Sequence, residues 1–242
     1  MKPQSRLLSL LADTVRAHTM NFETPPAPRY GDVVGTRILA AFVAVGIGVF
    51  FALRLGFNAA GVRELPVAKL AFVLALLLAF IAVQRWFMRA PFASIGLRGF
   101  AHWTRLERLY FIQMVPLATV MFSIVFRHRL LTLVEVHGPA GFVLFSIFTG
   151  ILWGMVQEFL YRGWLQTELS RRFGWIAGLL IANAAFTFGP LHFDYLVGTG
   201  GLRWGGLASV FAIGLIFGFL YRRSGNLWIP ATLHGLWPLN MA

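Results

Sequence analysis

The sequence has no cysteine and few charged residues. Charged side chains make up 12% of its 242 residues, whereas a water-soluble domain carries about 25%. The absence of cysteine excludes disulfides, thiolate nucleophiles and cysteine-ligated zinc, and it leaves sites built from His, Asp and Glu open. Because 58% of the residues are hydrophobic, the chain must place much of its surface in lipid rather than in water.

Acidic residues are especially scarce, with 9 Asp and Glu against 21 Lys and Arg and a net charge of +12. A nucleic-acid-binding protein would collect its basic residues on one polar face, but here they separate long apolar runs. We therefore expect no nucleic-acid partner and interpret the basic residues as topology signals. They concentrate in the connections on the N-terminal side of the membrane, which predicts a cytoplasmic N-terminus in an integral protein of a bacterial inner (plasma) membrane.

Apolar runs long enough to cross a bilayer recur along the chain. A run of about 18 residues spans a hydrocarbon core of about 30 Å, since each helical residue adds about 1.5 Å. The fold class that this pattern predicts is all-α, a polytopic transmembrane helical bundle of about seven spans. We place them at 37–54, 66–86, 108–127, 141–162, 175–193, 205–222 and 227–240.

Residues 1–30 have a different pattern from the rest. Leucine and valine recur there at helical spacing among basic residues, before a proline-rich break. This predicts an N-terminal amphipathic helix lying in the membrane interface, with a disordered tail as the alternative. Residues 31–242 are then predicted to form a single transmembrane domain.

Ionisable residues within the predicted spans mark a candidate site, because such groups are costly in lipid unless they pair or face a cavity. Glu158 and Arg162 are four residues apart and so share one helix face. His192 and His234 lie in two later spans. Glu158 and His192 are almost equally distant from the turn at Gly174, which predicts a similar depth, whereas His234 is nearer its own turn and is predicted to be shallower.

One cavity could still collect these side chains if the fourth helix extends beyond the membrane before it turns. Its charged end, with Glu168, Arg171 and Arg172, favours such an extension. Each residue also has a simpler interpretation: the Glu-Arg pair neutralises itself, and each histidine is a satisfied core residue. Asp194 is expected to belong to a loop.

In chain order, these residues resemble the motifs of the CAAX protease and bacteriocin-processing family, also called CPBP or Abi. The first motif of that family is Glu-Glu-xxx-Arg, and Gln157, Glu158 and Arg162 stand at the corresponding positions. The second motif is Phe-xxx-His, which Phe188 and His192 match. The motifs appear in the family's order and within predicted spans.

The third motif, His-xxx-Asn or His-xxx-Asp, is incomplete. His234 matches its first position, but Pro238 stands at the fourth. Asn240 could supply the missing amide if the last helix breaks at the proline, and Asn183 is an alternative. The resemblance covers about residues 94–240, which we take as a protease-like core.

The resemblance implies an intramembrane protease that acts on a membrane-embedded or membrane-anchored protein or peptide, in contact with the lipid bilayer. In the family, the first glutamate and the second-motif histidine are thought to activate a water, while the third-motif histidine and amide stabilise the oxyanion. By this reading the catalytic set is Gln157, Glu158, Arg162, His192, His234 and Asn240, with Glu158 and His192 as the base pair.

The sequence departs from the family at position 157, because a glutamine amide cannot accept a proton. Three explanations remain open: Gln157 is an engineered replacement of glutamate, Glu158 takes over as the base, or the chain is a natural pseudoprotease. The competing function is therefore a non-catalytic immunity or scaffold protein that binds a peptide or partner. A transporter is less favoured, because the first three spans contain few polar residues.

No cofactor is required by this reading. Two histidines and a glutamate can ligate zinc, and the family has often been labelled metalloprotease. However, the sequence has no His-Glu-xx-His pair that would fix two ligands on one helix. Zinc is kept as an alternative only.

Overall fold

The computed structural model describes residues 3–19, 32–51, 65–192 and 204–236. The longer elements within these ranges are α-helices, several of which continue into π-helical turns. In chain order they are α1 (Pro3–Thr19), α2 (Asp32–Phe51), α3 (Pro66–Ala82), α4 (Arg105–Val125), α5 (Arg127–Gly141), α6 (Thr149–Glu158), α7 (Thr167–Phe173), α8 (Trp175–Phe188), α9 (Trp204–Ser224) and α10 (Trp228–Leu236).

Six helical stretches in the described ranges are long and apolar enough to cross a membrane, and the predicted all-α polytopic bundle is confirmed. The chain is an integral membrane protein. Of the seventh predicted span, 227–240, the structure describes α10, which has nine residues. The six stretches are Asp32–Val49, Pro66–Phe87, Arg105–Val125, Arg127–Phe173, Trp175–His192 and Trp204–Ser224.

The fourth stretch is much longer than the predicted span 141–162. It runs from Arg127 to Phe173, because π-helical turns at Phe142–Phe148 and Phe159–Gln166 join α5, α6 and α7 into one rod. The rod has a single internal break in its backbone at Gly138, where φ is 68° and ψ is 168°. The charged end therefore stays helical up to Phe173, as the sequence favoured.

Glycines allow α6 and α10 to pack with their backbones in contact. A Cβ atom built on Gly154 would lie 2.4 Å from the carbonyl oxygen of Ala231, and one on Gly235 would lie 2.2 Å from the Cα of Ile151. Small residues at four-residue spacing permit this close approach in membrane proteins. The two helices are consequently held in a fixed register.

A polar latch fixes the turn that precedes α10. The backbone N–H of Leu227 donates to the carbonyl oxygen of Gly96 at 3.0 Å, within the segment that connects α3 to α4. Beside it, the buried carboxylate of Glu107 accepts from Arg98 at 2.6 Å and from Asn226 at 3.4 Å. The start of α10 is thus tied to the N-terminal end of α4.

Helix α1 packs on α4 through its polar side. Thr14 accepts a hydrogen bond from Gln113 at 3.1 Å, and Asp13 forms an ion pair with Arg105 at 2.9 Å. The apolar side of α1 is exposed, with Leu7, Leu8, Leu10, Leu11 and Val15 on the outside. Its location in the membrane interface stays a prediction, as does the domain division at residue 30.

Candidate functional site

Glu158, the last residue of α6, is the centre of a buried ionic cluster. One carboxylate oxygen, Oε1, lies 2.7 Å from Nδ1 of His234, and the other, Oε2, lies 3.2 Å from Nε of Arg162. All three side chains are buried. Because an ionised carboxylate can only accept, His234 donates its Nδ1 proton to Glu158.

Arg162 is wholly buried and is held from several sides. Its Nη2 donates to the backbone carbonyl of Gly214 on α9 at 2.9 Å, and its guanidinium lies 4.9 Å from the centre of the Phe186 ring. A buried charge is costly unless it is paired and hydrogen-bonded. The carboxylate of Glu158, the carbonyl and the ring supply part of this compensation, while Nε and Nη1 of Arg162 and Oε2 of Glu158 have no hydrogen-bond partner among the described residues.

The close packing of α6 against α10 sets the distance between the carboxylate and the imidazole. Gly154 lies one helical turn before Glu158, and Gly235 is the chain neighbour of His234. Because the two backbones touch at these glycines, the side chains that follow them meet across the interface. Any larger residue at either glycine would separate the pair.

His192 reaches the same region from the end of α8. The helix ends at Phe188, and the chain continues in a short 3-10 turn over Pro190–His192. Nδ1 of His192 lies 2.8 Å from the carbonyl oxygen of Phe186. A carbonyl oxygen can only accept, so Nδ1 carries the proton and Nε2 carries the lone pair of a base.

Phe186 is the side chain that connects the parts of the cluster. Its ring lies 4.7 Å from the His192 ring and 5.7 Å from the His234 ring, both in edge-to-face geometry, and the guanidinium of Arg162 lies over it. The structure therefore brings Glu158, Arg162, His192 and His234 into one buried region. Helices α6, α8 and α10 supply these residues together with the turns that follow α6 and α8.

The aromatic residue at the site differs from the one that the motif indicated. Phe188, the motif position, is 50% exposed, whereas Phe186 is 2% exposed. A helical signal could have identified Phe186, because it follows the buried Asn183 by three residues and so lies on the same face. The Phe-xxx-His spacing indicated Phe188 instead.

The predicted difference in depth between His234 and Glu158 is wrong, as their 2.7 Å contact shows. The reason lies in the end of α9, where the Tyr221 hydroxyl is 2.9 Å from the hydroxyl of Thr167. The turn after α9 therefore sits level with the start of α7, more than a helical turn before the rod ends at Phe173. The sequence estimate measured the depths of Glu158 and His234 from two turns that it took to lie at the same level. It therefore placed His234 too close to the membrane surface.

Two amides near the cluster retain unused hydrogen-bonding capacity. Gln157 is buried, and its Oε1 has no hydrogen-bond partner within the described part of the chain. Asn183 donates to the carbonyl of Phe211 at 2.9 Å, while its Oδ1 likewise has no partner there. Buried polar atoms of this kind usually bind water or a ligand. Asn240, Asp194 and Pro238 lie outside the described residues.

The described residues do not fit a metal centre. Among them, no group of three His, Asp or Glu side chains is placed to hold a metal ion. In addition, both oxygens of Glu158 already face nitrogen atoms of Arg162 and His234. A carboxylate held in this way is a poor ligand for a cation, and we derive no step through zinc.

Comparisons with known proteins give a match over the part of the chain that holds the site. Residues 139–239 match the family model described as type II CAAX prenyl endopeptidase Rce1-like. An uncharacterized protein of Bacillus subtilis (strain 168), YpbD, is 35% identical over 88 residues, which cover 36% of this chain and 39% of YpbD. The match thus spans less than half of that relative, and no solved structure matches the chain. Over residues 139–239, which hold Glu158, Arg162, His192 and His234, this integral membrane protein is similar to the Rce1-like type II CAAX prenyl endopeptidases.

Proposed function

We propose that the chain is an intramembrane endopeptidase that hydrolyses a peptide bond of a membrane-embedded or membrane-anchored protein. It works in a bacterial inner membrane with its N-terminus in the cytoplasm. The observation that carries the proposal is the 2.7 Å hydrogen bond between His234 and Glu158 in a buried cluster. The Rce1-like match over the same residues supports the reaction class.

In this proposal His234 is the general base. Its Nδ1 proton is donated to Glu158, so its Nε2 accepts a proton from a water molecule, which attacks the peptide carbonyl. Glu158 stabilises the imidazolium that forms, as the aspartate does in serine-protease triads. The imidazolium then gives the proton to the leaving amine. Arg162 holds the carboxylate in place.

His192 and the nearby amides assist this step. His192 accepts a hydrogen bond from the attacking water through Nε2, because Nδ1 is committed to the carbonyl of Phe186. Asn240, and the amide of Gln157, donate to the developing oxyanion. Relative to the sequence expectation, Glu158 acts through His234 rather than as the base itself, since one of its oxygens accepts from His234 and the other faces the guanidinium of Arg162.

A second candidate function is that of a non-catalytic protein that binds a peptide or partner. The buried Gln157 favours it, because an amide at this position cannot take a proton. One variant distinguishes the two functions. Replacement Gln157→Glu would create the family's carboxylate pair, and a gain of cleavage from an inactive parent would identify a protease that needs a carboxylate at position 157 in addition to His234.

The test is cleavage of membrane-anchored fluorogenic peptides by the full-length chain in liposomes. We expect His234→Ala and Glu158→Gln each to lower kcat at least a hundredfold, in line with the contribution of general acid-base catalysis. The matched control is His102→Ala, which removes an exposed imidazole and should leave kcat unchanged. Thermal unfolding of each variant separates loss of chemistry from loss of the fold.

Two results would overturn the proposal. Full activity of a folded His234→Ala variant would remove His234 from the chemistry. Absence of cleavage by both the parent and Gln157→Glu, with both proteins folded and a peptide bound, would favour the non-catalytic function. The pairing of His234 with Glu158 in catalysis would be supported if the parent cleaves the peptide and His234→Ala and Glu158→Gln each abolish this cleavage.

A further inference from the structure

A pocket of about 240 Å³ lies between α2 and the end of α3, away from the Glu158 cluster. Arg37 of α2 lines one side, and Trp86, Phe87 and Arg89 line the other. Arg37 is half-buried, while the three residues after α3 are exposed. The pocket therefore combines two guanidinium groups with two aromatic rings at one end of a membrane span.

The two arginines bring positive charge that the described residues do not neutralise. Neither Arg37 nor Arg89 forms an ion pair within those parts of the chain that the structure describes. The acidic residue closest to Arg37 in the sequence is Asp32, and it pairs instead with Arg171. Two unpaired guanidinium groups facing one pocket favour a ligand of opposite charge.

The backbone next to the pocket is held in an unusual conformation. Arg89 has φ of 54°, in the left-handed region that side chains with a Cβ atom rarely adopt. The preceding turn, Val83–Phe87, is π-helical. Such features persist when surrounding contacts impose them, and they cluster at ligand sites.

A buried glutamine supplies the contacts that impose this conformation. Gln84 donates to the carbonyl of Ala90 at 3.1 Å, which closes the turn, and it accepts from the indole nitrogen of Trp164 at 2.9 Å. The turn is thus fastened to the rod that also carries Glu158. Arg89 is consequently presented to the pocket by a rigid support rather than by a loose loop.

We infer that this pocket binds the phosphodiester headgroup of an anionic phospholipid. The forked guanidinium group matches the oxygens of a phosphodiester, and the two positive charges favour a headgroup with a net negative charge over a zwitterionic headgroup that carries its own cation. Trp86 is 72% exposed at the end of its span, in keeping with the position of tryptophan at the level of lipid headgroups. The pocket is also smaller than the roughly 300–1,000 Å³ of sites for drug-sized ligands, so it suits a headgroup rather than a peptide.

The experiment compares lipid retention by the full-length chain in nanodiscs of mixed phosphatidylglycerol and phosphatidylcholine, measured by native mass spectrometry. We expect phosphatidylglycerol to be retained in preference to phosphatidylcholine. Each of Arg37→Gln and Arg89→Gln should weaken this retention about fivefold, the effect of one basic residue near an anionic surface. Arg89→Lys should recover part of the loss, because the charge returns without the fork.

The matched control is Arg85→Gln, which removes one positive charge from the same helix end but does not line the pocket. It should change retention less than twofold. An equal loss in this control, or equal retention of the two lipids, would overturn the inference and leave only a general surface charge. Inorganic phosphate that binds with the same dependence on Arg37 and Arg89 and displaces the lipid would identify a free-phosphate site instead.

Discussion

Replacement Gly154→Ala tests whether the contact between α6 and α10 creates the ionic cluster. The added Cβ atom would lie 2.4 Å from the carbonyl oxygen of Ala231 and 2.6 Å from the backbone nitrogen of Gly235. Ordinary contacts begin at about 3.4 Å. The neighbours are backbone atoms, which cannot rotate away, so the two helices must move apart by about 1 Å.

A displacement of this size is large compared with the range of donor–acceptor distances that a hydrogen bond tolerates. A shift of about 1 Å would lengthen the 2.7 Å distance between Glu158 and His234 beyond the range of a hydrogen bond. Overpacking costs about 1–3 kcal/mol, and the loss of a hydrogen bond within a membrane adds about 1 kcal/mol. We therefore expect the free energy of unfolding to fall by about 2–4 kcal/mol.

The assay is equilibrium unfolding in mixed micelles, with increasing SDS, together with peptide cleavage in liposomes. The matched control is Gly46→Ala on α2, where no atom lies within 4 Å of the added Cβ. Alanine is the better helix former, so this variant should be as stable as the parent or slightly more stable. If Gly154→Ala unfolds at the same SDS fraction as Gly46→Ala, the reasoning about the helix contact is refuted.

Two further substitutions test the buried charges. Arg162→Met leaves the carboxylate of Glu158 buried without its guanidinium and should lower the free energy of unfolding by about 3–5 kcal/mol. The control Arg105→Met breaks an exposed ion pair and should lower it by less than about 1 kcal/mol. Equal losses in SDS unfolding would contradict this expectation. Glu107→Ala removes the carboxylate of the latch and should lower the free energy of unfolding by about 2 kcal/mol. The control Glu135→Ala, on the exposed side of α5, should leave it almost unchanged. Similar unfolding curves for the two variants would show that the latch does not stabilise the fold.

The spans could be predicted from the sequence because lipid imposes a simple rule on it. A helix surface in contact with hydrocarbon must be apolar over its whole length, so hydropathy reports the helix directly. The second predicted span, 66–86, agrees closely with the stretch Pro66–Phe87. The fourth predicted span, 141–162, ends well before the observed helix does. The charged end beyond the apolar run carries no hydropathy signal, yet it remains helical up to Phe173.

The members of the ionic cluster were also visible in the sequence, whereas their arrangement was not. Glu158 and Arg162 follow from local helix geometry, since four residues make about one turn. The contact of Glu158 with His234 depends on the register between α6 and α10, which the glycines set across a long stretch of intervening chain. Phe186 was missed because the Phe-xxx-His spacing indicated Phe188, which lies on another face of α8.

The backbone break at Gly138 divides the helical stretch Arg127–Phe173. The stretch that matches the Rce1-like family begins at the next residue, Pro139. Proline is well suited to a first helical position, so the helix that leads to Glu158 has its own start there and does not depend for its direction on the part of α5 that precedes Gly138. Protein engineers could therefore shorten α5 or insert a fluorescent reporter before Gly138 and leave the geometry around Glu158 undisturbed.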